Sequence, residues 1–243
     1  MAHPGRRIGL ARWLSKQGVM SRSRAEAQIR AGRVNLNGIR VLDPETPIMG
    51  TDARVSIDGE PIRPPGRRYL MLNKPRGLVT TARDERSRDT VYRCFEGGDL
   101  GWIAPVGRLD KASEGLLLFS SDPEWAAKIT DPATGPSKTY RVQVAGIPDA
   151  ESLSRMEAGI RVEGGEFLAV ARARLLRAGG RNAWLEIELD EGRNRQIRRI
   201  LSALDHEVLR LVRIGIGPLA LGDLAKGAWR DLSEAEIAAL RGD

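Results

Sequence analysis

The residue best suited to chemistry in this sequence is Asp110, in the segment VGRLDKASEGLLLFSSD. Its carboxylate stands between Arg108 and Lys111, and an apolar run at 116–119 follows. An aspartate between two basic residues is most often a surface ion pair, worth about 0–1 kcal/mol. Here the turn leads into a strand that we expect to be fully buried, and such a strand holds a loop rigidly. We therefore treat Asp110 as a candidate catalytic carboxylate.

A basic motif near residue 198 supplies a candidate partner for this carboxylate. In EGRNRQIRRILSALDHEV, apolar side chains have the spacing of one buried helical stripe: Ile197, Ile200, Leu201 and Leu204. Arg198 lies at the edge of the stripe, whereas Arg195 and Arg199 lie opposite it. An edge arginine can turn inward to an acid, and the opposite pair faces solvent or a polyanion. Tyr140, preceded by lysine in SKTYRV, opens a predicted strand and is the third candidate.

The residue inventory argues against several other kinds of site. The two histidines, His3 and His206, and the single cysteine, Cys94, argue against a zinc site and exclude an intramolecular disulfide. A Ser-His-Asp triad would have to use His206, and no nucleophile-elbow pattern supports one. The sequence contains no phosphate-binding GxxxxGK[ST] loop. We therefore expect an enzyme to work with carboxylate, tyrosine and arginine, with no metal and no cofactor.

The basic charge of the chain is confined to its first quarter. The net charge is +7, and residues 1–68 hold 13 Lys and Arg against 6 Asp and Glu, so the remainder is neutral. This asymmetry indicates a small domain that holds a polyanion, attached to a body with another task. Four arginines cluster around a predicted helix and are candidate phosphate contacts: Arg22, Arg24, Arg30 and Arg33. The alternative for such a cluster is an ordinary solvated surface.

Composition and turn signals divide the chain into two predicted domains. The segment PIRPPGRR at 61–68 is a stiff connector, so we predict a first domain at 1–60 and a second at 69–243. In the first domain we predict helices at 8–17 and 24–31 and a hairpin at Asn37-Gly38. Ser23 and Glu26 give a capping signal for the second helix.

The second domain is predicted to be richer in strands than in helices. Strands are predicted at 69–73, 78–81, 102–106, 116–120, 139–144, 169–176 and 183–189. Helices are predicted at 123–130, at 150–159, in the segment EGRNRQIRRILSALDHEV, and after a capping box at Ser233 and Glu236. Hairpin-like spacings predict an α+β fold with a mixed, mostly antiparallel sheet flanked by helices.

Membrane insertion and secretion are not expected from this sequence. No window approaches the roughly 18 apolar residues of a membrane span. The first residues, MAHPGRRIGLARW, lack the apolar core of a secretory signal. With one cysteine, the cytoplasm is the expected compartment.

Several segments, in order, resemble those of the ribosomal pseudouridine synthases of the RsuA/RluB type. These are LNKPRGLVTT, GRLDKASEGLLLFSSD, SKTYRV, EGRNRQIRRIL and LVRIGIGPLALGDLAKGAWRDL, which cover most of 69–232. Residues 8–60 resemble the small RNA-binding domain first described in ribosomal protein S4. The GRLD segment followed by a Gly-Leu-Leu strand is highly specific, whereas KTY or NKP alone would be weak.

The resemblance implies an isomerase that converts uridine to pseudouridine in ribosomal RNA without a cofactor or metal. It implies that Asp110 is the catalytic aspartate, Tyr140 the active-site tyrosine and Arg198 the basic partner, with Arg193 and Arg108 as lesser candidates for the partner. A carboxylate can attack the anomeric carbon or stabilise cationic character there. A tyrosine ring can stack on the displaced uracil, although a strand tyrosine is more commonly a core residue.

The substrate implied by the resemblance is folded ribosomal RNA with the target base flipped out. Further candidate RNA contacts are Lys74, Arg76, Arg108, Arg195 and Arg199, and for the first two a solvated loop is the alternative. Within this family, EGRNRQIRR and IGPL…GAWRDL resemble members that act on 23S rRNA more than members that act on 16S rRNA, so the resemblance implies 23S rRNA as the target. We expect a monomer. The alternatives are a non-catalytic RNA-binding assembly factor and a carboxylate hydrolase acting on a glycoside.

Overall fold

The computed structural model describes residues 8–48, 53–62, 66–82 and 84–242. Within these residues the helices are Leu10–Lys16 (α1), Arg22–Arg30 (α2), Pro123–Thr130 (α3), Ala150–Ala158 (α4), Gln196–Ser202 (α5) and Glu234–Arg241 (α6), with a 3₁₀ helix at Val91–Phe95. All six predicted helices are confirmed in type and approximate position. The last one begins with the predicted capping box, in which Ser233 and Glu236 exchange hydrogen bonds.

The strands of the N-terminal part are Ile8–Gly9 (β1), Val34–Leu36 (β2), Ile39–Val41 (β3), Pro47–Ile48 (β4), Val55–Ile57 (β5) and Glu60–Pro61 (β6). The later strands are Tyr69–Lys74 (β7), Ala104–Val106 (β8), Glu114–Ser120 (β9), Lys138–Ala145 (β10), Ile160–Arg161 (β11), Phe167–Leu168 (β12), Arg172–Ala178 (β13), Asn182–Leu189 (β14), Val208–Ile216 (β15), Leu219–Ala220 (β16) and Trp229–Asp231 (β17). The α+β class is confirmed.

The chain divides into two compact units. The first takes in the residues up to Tyr69 with Gly98–Ala104 and Ser120–Trp125, and the second holds Leu70–Gly97, Pro105–Phe119 and the chain from Ala126 onward. The predicted domain bounds of 1–60 and 69–243 stay a prediction. Part of the predicted connector, residues 63–65, lies outside the described residues.

The first unit is built on two short helices and a small sheet in the order β3-β2-β5-β6. Side chains of both helices and of the sheet share one apolar core, which includes Leu10, Leu14 and Ile29, all fully buried. The predicted hairpin is confirmed, because Asn37 and Gly38 both have positive φ, as a two-residue hairpin turn requires.

The second unit is organised by a sheet in the order β13-β14-β10-β15-β9-β7-β17, with β16 beside β15 and β8 beside β9. Strands β13, β14, β10 and β15 pair antiparallel in succession, as do β7 and β17, whereas β9 pairs with β15 in parallel. The predicted mixed, mostly antiparallel sheet is therefore confirmed. Strand β9 lies between β15 and β7, and all seven of its residues are buried.

Two local predictions were wrong. The segment 78–81 is not a strand, because it forms only an isolated bridge between Val79 and Thr90. Helix α2 is capped by Ser21, whose hydroxyl accepts from the Arg24 N–H, so the helix starts earlier than the Ser23 signal predicted. Both serines precede the same apolar pattern, and the pattern alone does not distinguish them. Among the described residues, no helix has the length and apolar character that crossing a membrane requires.

Candidate active site

Asp110 lies in the loop between β8 and β9, and its side chain is exposed. Hydrogen bonds to three of its backbone carbonyls hold the loop. The Gly77 N–H donates to the Lys111 carbonyl at 2.8 Å, the Thr80 hydroxyl donates to the Leu109 carbonyl at 2.7 Å, and the Ser113 N–H donates to the Asp110 carbonyl at 3.0 Å. The carboxylate is thus presented to solvent from a backbone that is fixed on several sides.

Lys74 is the buried centre of this support, which corrects the prediction that it contacts RNA. Its side chain is fully buried, and its ammonium donates to the carbonyls of Ser113 at 2.8 Å, Pro75 at 3.1 Å and Asp110 at 3.2 Å. Burial lowers the pKa of Lys74 to about 8, although the nearby Asp110 carboxylate acts in the opposite direction. A buried ammonium satisfied by three carbonyls cannot also reach a phosphate, so Lys74 positions the loop.

A glycine allows the chain to pass from the loop into β9, close beside β15. Gly115 has φ +100°, and a Cβ there would lie 2.2 Å from the Arg213 carbonyl oxygen. The close parallel approach of β9 and β15 therefore excludes any side chain at this position. The GLLL pattern after Asp110 thus combines a close backbone contact with a fully buried strand.

Tyr140 lies on β10, directly opposite Arg213 of β15 in the antiparallel register. Both side chains are almost fully buried, with 8% and 6% of their surface exposed. Residues that pair directly across two strands point to the same face, so the ring and the guanidinium are neighbours. Tyr140 was a candidate from its sequence motif, whereas no sequence pattern indicated Arg213.

Arg198 lies on α5 and turns inward, as its edge position predicted. Its guanidinium donates to the Ala112 carbonyl, in the same loop as Asp110, and to the Val208 carbonyl, both at 3.3 Å. Burial lowers the pKa of Arg198, nearby Arg195 acts in the same direction, and the Asp110 carboxylate opposes them. Among the described residues Arg198 forms no ion pair with Asp110, because the aspartate side chain extends into solvent.

One cavity of about 350 Å³ brings the three predicted residues Asp110, Tyr140 and Arg198 together. Its wall also includes Ser113, Lys138 and Arg213. The volume is within the usual range for small-ligand sites. The cavity thus combines an exposed carboxylate, an aromatic ring and several cations, an arrangement suited to a planar, partly anionic group attached to a sugar.

Asp110 differs from the other carboxylates that line the cavity. The Asp131 carboxylate accepts from the N–H groups of Ala133 at 2.8 Å and Thr134 at 3.0 Å, and these bonds lower its pKa. Glu191 accepts from Arg193 at 3.0 Å and from Gln196 at 3.3 Å. Within the described part of the chain, the Asp110 carboxylate has no hydrogen bond. A glycoside hydrolase needs two working carboxylates, and this cavity offers one.

The EGRNRQ segment also lines the cavity, and the buried side chain of Gln196 holds it in place. The Gln196 amide accepts from the Arg193 N–H at 3.0 Å and donates to the Ala169 carbonyl at 2.8 Å. Arg195 lines the cavity with φ +50°, a left-handed conformation that is unusual outside glycine, and caps α5. It therefore lies before the helix and was wrongly placed on it by periodicity.

The remaining predicted cations are at the surface or near it. Arg76 and Arg108 are exposed, and Arg108 lines the cavity. Arg193 pairs with Glu166 and Glu191, which makes it unsuitable as the partner of Asp110. Arg199, which is partly exposed, also pairs with Glu166, at 2.7 Å.

The four predicted arginines of the first unit are all exposed. Arg22 pairs with Glu26 and Glu45, Arg30 with Glu26, and Arg33 with Asp58. Exposed ion pairs are weak and exchange readily for a phosphate. The contact of these four arginines with RNA therefore stays a prediction, and their ion pairs do not prevent it. As for metals, no group of three His, Cys, Asp or Glu side chains in the described ranges could hold an ion.

Comparison with known proteins gives a consistent result along the whole chain. The sequence profile of RNA pseudouridylate synthases matches residues 68–203, and that of the S4 domain matches residues 8–53. An uncharacterized RNA pseudouridine synthase of Aquifex aeolicus is 39% identical in an alignment that covers 96% of this chain and 93% of the relative. The ribosomal large subunit pseudouridine synthase B of Bacillus subtilis is 36% identical, over 96% of this chain and 95% of its own length. A crystal structure of a pseudouridylate synthase superimposes with a TM-score of 0.67 at 29% identity, covering 96% and 99% of the two chains.

Proposed function

The chain belongs to the RNA pseudouridylate synthase family, carries an N-terminal S4 domain and isomerises uridine to pseudouridine in RNA; from this premise we propose that its substrate is 23S ribosomal RNA. The observation that carries the proposal is the 36% identity, over 96% of this chain, to the protein named ribosomal large subunit pseudouridine synthase B. The motifs EGRNRQIRR and IGPL…GAWRDL support the same target.

We assign the chemical steps to the three residues that share the cavity. The Asp110 carboxylate acts at the anomeric carbon while the bond from that carbon to N1 of uracil breaks. Tyr140 stacks on the freed base while it turns, until carbon 5 bonds to the same ribose carbon. Arg198 holds the 110–112 loop through the Ala112 carbonyl and supplies positive charge near the carboxylate. The bond from the ribose carbon to N1 is replaced by one to carbon 5, and the proton that carbon 5 loses is matched by one that N1 gains. The net reaction is therefore an isomerisation that needs no added reactant.

The target uridine has to leave its stack to reach this cavity. Asp110 is exposed to solvent, whereas Tyr140 is almost fully buried. A base that contacts both residues must therefore enter the cavity with the edge of its ring leading. Unstacking costs a few kcal/mol, which contacts to the RNA backbone must offset. We propose that the basic S4 domain provides such contacts, with the catalytic domain reading the flipped base.

The target is tested by mapping pseudouridines in ribosomal RNA from cells with and without the gene. Chemical labelling and primer extension should show at least one 23S site lost on deletion and restored by the wild-type gene. The Asp110→Asn gene should not restore it. Loss of a site in 16S RNA alone would move the target to the small subunit, and survival of every ribosomal site would exclude both ribosomal targets.

Replacing Arg198 by methionine is expected to lower turnover by about 10²-fold and to change RNA affinity by less than threefold. The variant removes a half-buried charge and two hydrogen bonds, one of which holds the Asp110 loop through the Ala112 carbonyl, and small displacements of catalytic groups have effects of this size. Single-turnover rates and filter-binding affinities measure the two quantities separately. A large loss of affinity with normal turnover would instead identify Arg198 as a phosphate contact.

Removing two arginines of the S4 domain is expected to weaken RNA binding and flatten its dependence on salt. Arg24 and Arg30 are exposed on α2, and each phosphate contact contributes about 0.7–0.9 to the slope of log K against log salt. The double variant Arg24→Gln, Arg30→Gln should therefore lower that slope by about 1.5 with unchanged single-turnover rate. The control is Arg155→Gln, Arg161→Gln, which removes two exposed arginines of the second unit. An unchanged slope in the first pair contradicts the anchoring role.

A further inference from the structure

Arg213 has an arrangement that the folded chain alone does not explain. Its Nε donates to the Leu116 carbonyl at 2.7 Å, which fixes the plane of the guanidinium against β9. Its Nη2 is buried and has no hydrogen-bond partner among the described residues. The residue is 6% exposed and lines the same cavity as Asp110. An arginine nitrogen left buried without an acceptor is costly, so the site indicates an acceptor that arrives with a ligand.

A second cation in the same wall strengthens this inference. Lys138 is half-buried, and burial lowers its pKa; the positive charge of Arg213 acts in the same direction, and the Asp190 carboxylate opposes both. Within the described residues neither cation forms an ion pair with a carboxylate. Two neighbouring cations that form no ion pair, with the Asp190 carboxylate acting on Lys138 alone, favour a negative charge beside them.

The position of Arg213 in the sheet decides which part of a nucleotide it meets. It lies directly across from Tyr140 on the same face, so a base stacked on the tyrosine ring presents its edge to the guanidinium. A nucleotide that enters base first leaves its phosphate near the mouth, where the exposed Arg108 and Arg195 lie. The buried guanidinium is therefore placed for the carbonyl oxygens of the base.

We propose that Arg213 is a further catalytic residue, which binds a carbonyl oxygen of the target uracil and stabilises the negative charge that the base acquires when it leaves the ribose. As the bond between the anomeric carbon and N1 breaks, its electron pair goes to the base, which becomes an anion delocalised over N1 and the two carbonyl oxygens. The Asp110 carboxylate attacks the ribose carbon or stabilises the positive charge left on it. When carbon 5 bonds to that carbon, an electron pair of the base anion forms the new bond, so the negative charge on the base is lost. Carbon 5 then loses its proton, and N1 gains one. A preorganised donor at a developing oxyanion typically contributes 10²–10³-fold.

This inference rests on the pseudouridine synthase activity and not on the choice of 23S RNA. The substrate for its test is a fragment of whichever ribosomal RNA loses a pseudouridine in the mapping experiment. Wild-type turnover on that fragment is measured first, so a wrong target is recognised before any Arg213 variant is compared.

The test compares Arg213→Met and Arg213→Lys on two versions of this fragment, with uridine or 5-fluorouridine at the target. Fluorine withdraws electrons and stabilises the uracil anion by itself, so the fluorinated base depends less on the guanidinium. Under single-turnover conditions, loss of the target nucleoside is followed by mass spectrometry of nuclease digests. We expect Arg213→Met to slow the uridine fragment by 10²–10³-fold and the fluorinated one at least tenfold less, with RNA affinity unchanged within threefold. Arg213→Lys keeps the charge and should lose about tenfold.

Two results would overturn the proposal. Equal losses on the two fragments would show that Arg213 only maintains the shape of the cavity. Weaker RNA binding with a flatter salt dependence and a normal rate would make it a phosphate contact. If Arg213→Met does not fold, as thermal unfolding will show, the same comparison between the two fragments is made with Arg213→Lys, for which a smaller loss on the fluorinated fragment is still required.

Discussion

Asp110→Asn is expected to lower turnover by at least about 10³-fold while RNA affinity stays within threefold of the wild type. Asparagine has nearly the same shape but carries no negative charge, so it can neither attack the anomeric carbon nor stabilise positive charge on it. The backbone of the loop is held by Lys74, Gly77 and Thr80 rather than by the Asp110 side chain, so the loop should keep its position. Release of tritium from carbon 5 of the target uridine measures turnover.

The matched control for this experiment is Asp131→Asn. Asp131 lines the same cavity, but its carboxylate accepts from two backbone N–H groups and so belongs to a turn. Asparagine can still accept such a bond, and we expect turnover within about tenfold of the wild type. The assignment of Asp110 fails if its asparagine variant keeps wild-type turnover, or if the two variants lose activity equally.

The elements that position the site could be predicted from sequence because their signals are local. The apolar run after Asp110 became the buried β9, and the edge position of Arg198 on a periodic stripe correctly indicated that it turns inward. The prediction that Arg195 lies on the helix was wrong for a local reason as well. Periodicity does not show where a helix begins, and this residue has a left-handed backbone.

Lys74 and Arg213 could not be placed from sequence, because their contacts join distant parts of the chain. The carbonyls that bind the Lys74 ammonium include one 36 and one 39 residues away. Arg213 donates to a carbonyl 97 residues away. A lysine in KPRG and an arginine in a strand resemble surface residues until the strands pair. The alternation of β15 offered one signal, since Leu211 and Arg213 share a face, but a cation on a buried face is not expected from pattern alone.

Lys74→Met is expected to lower turnover by about 10–10²-fold with little change in RNA affinity. Methionine fills a similar volume but donates no hydrogen bond, so the carbonyls of Pro75, Asp110 and Ser113 lose their common donor. The Asp110 loop should then occupy several positions, only some of them productive. Lys128→Met, which replaces an exposed lysine on α3, is the control and should have wild-type turnover. A Lys74 variant that loses RNA affinity instead would restore the surface role first predicted for it.

The burial of Lys74 also predicts how stability depends on pH. Its pKa falls from an ordinary 10.5 to about 8 in the folded protein, so between these values the unfolded chain binds more protons than the folded one. Stability contributed by this group is therefore present above pH 10.5 and is lost as the pH falls to about 8. The difference in unfolding free energy between wild type and Lys74→Met should shift in favour of the wild type by about 1–2 kcal/mol from pH 7 to pH 9.5. Urea unfolding at both pH values measures this difference, and the Lys128→Met pair should show none. A difference that is independent of pH would mean that the Lys74 ammonium keeps its charge throughout, and that its three carbonyl contacts outweigh its burial.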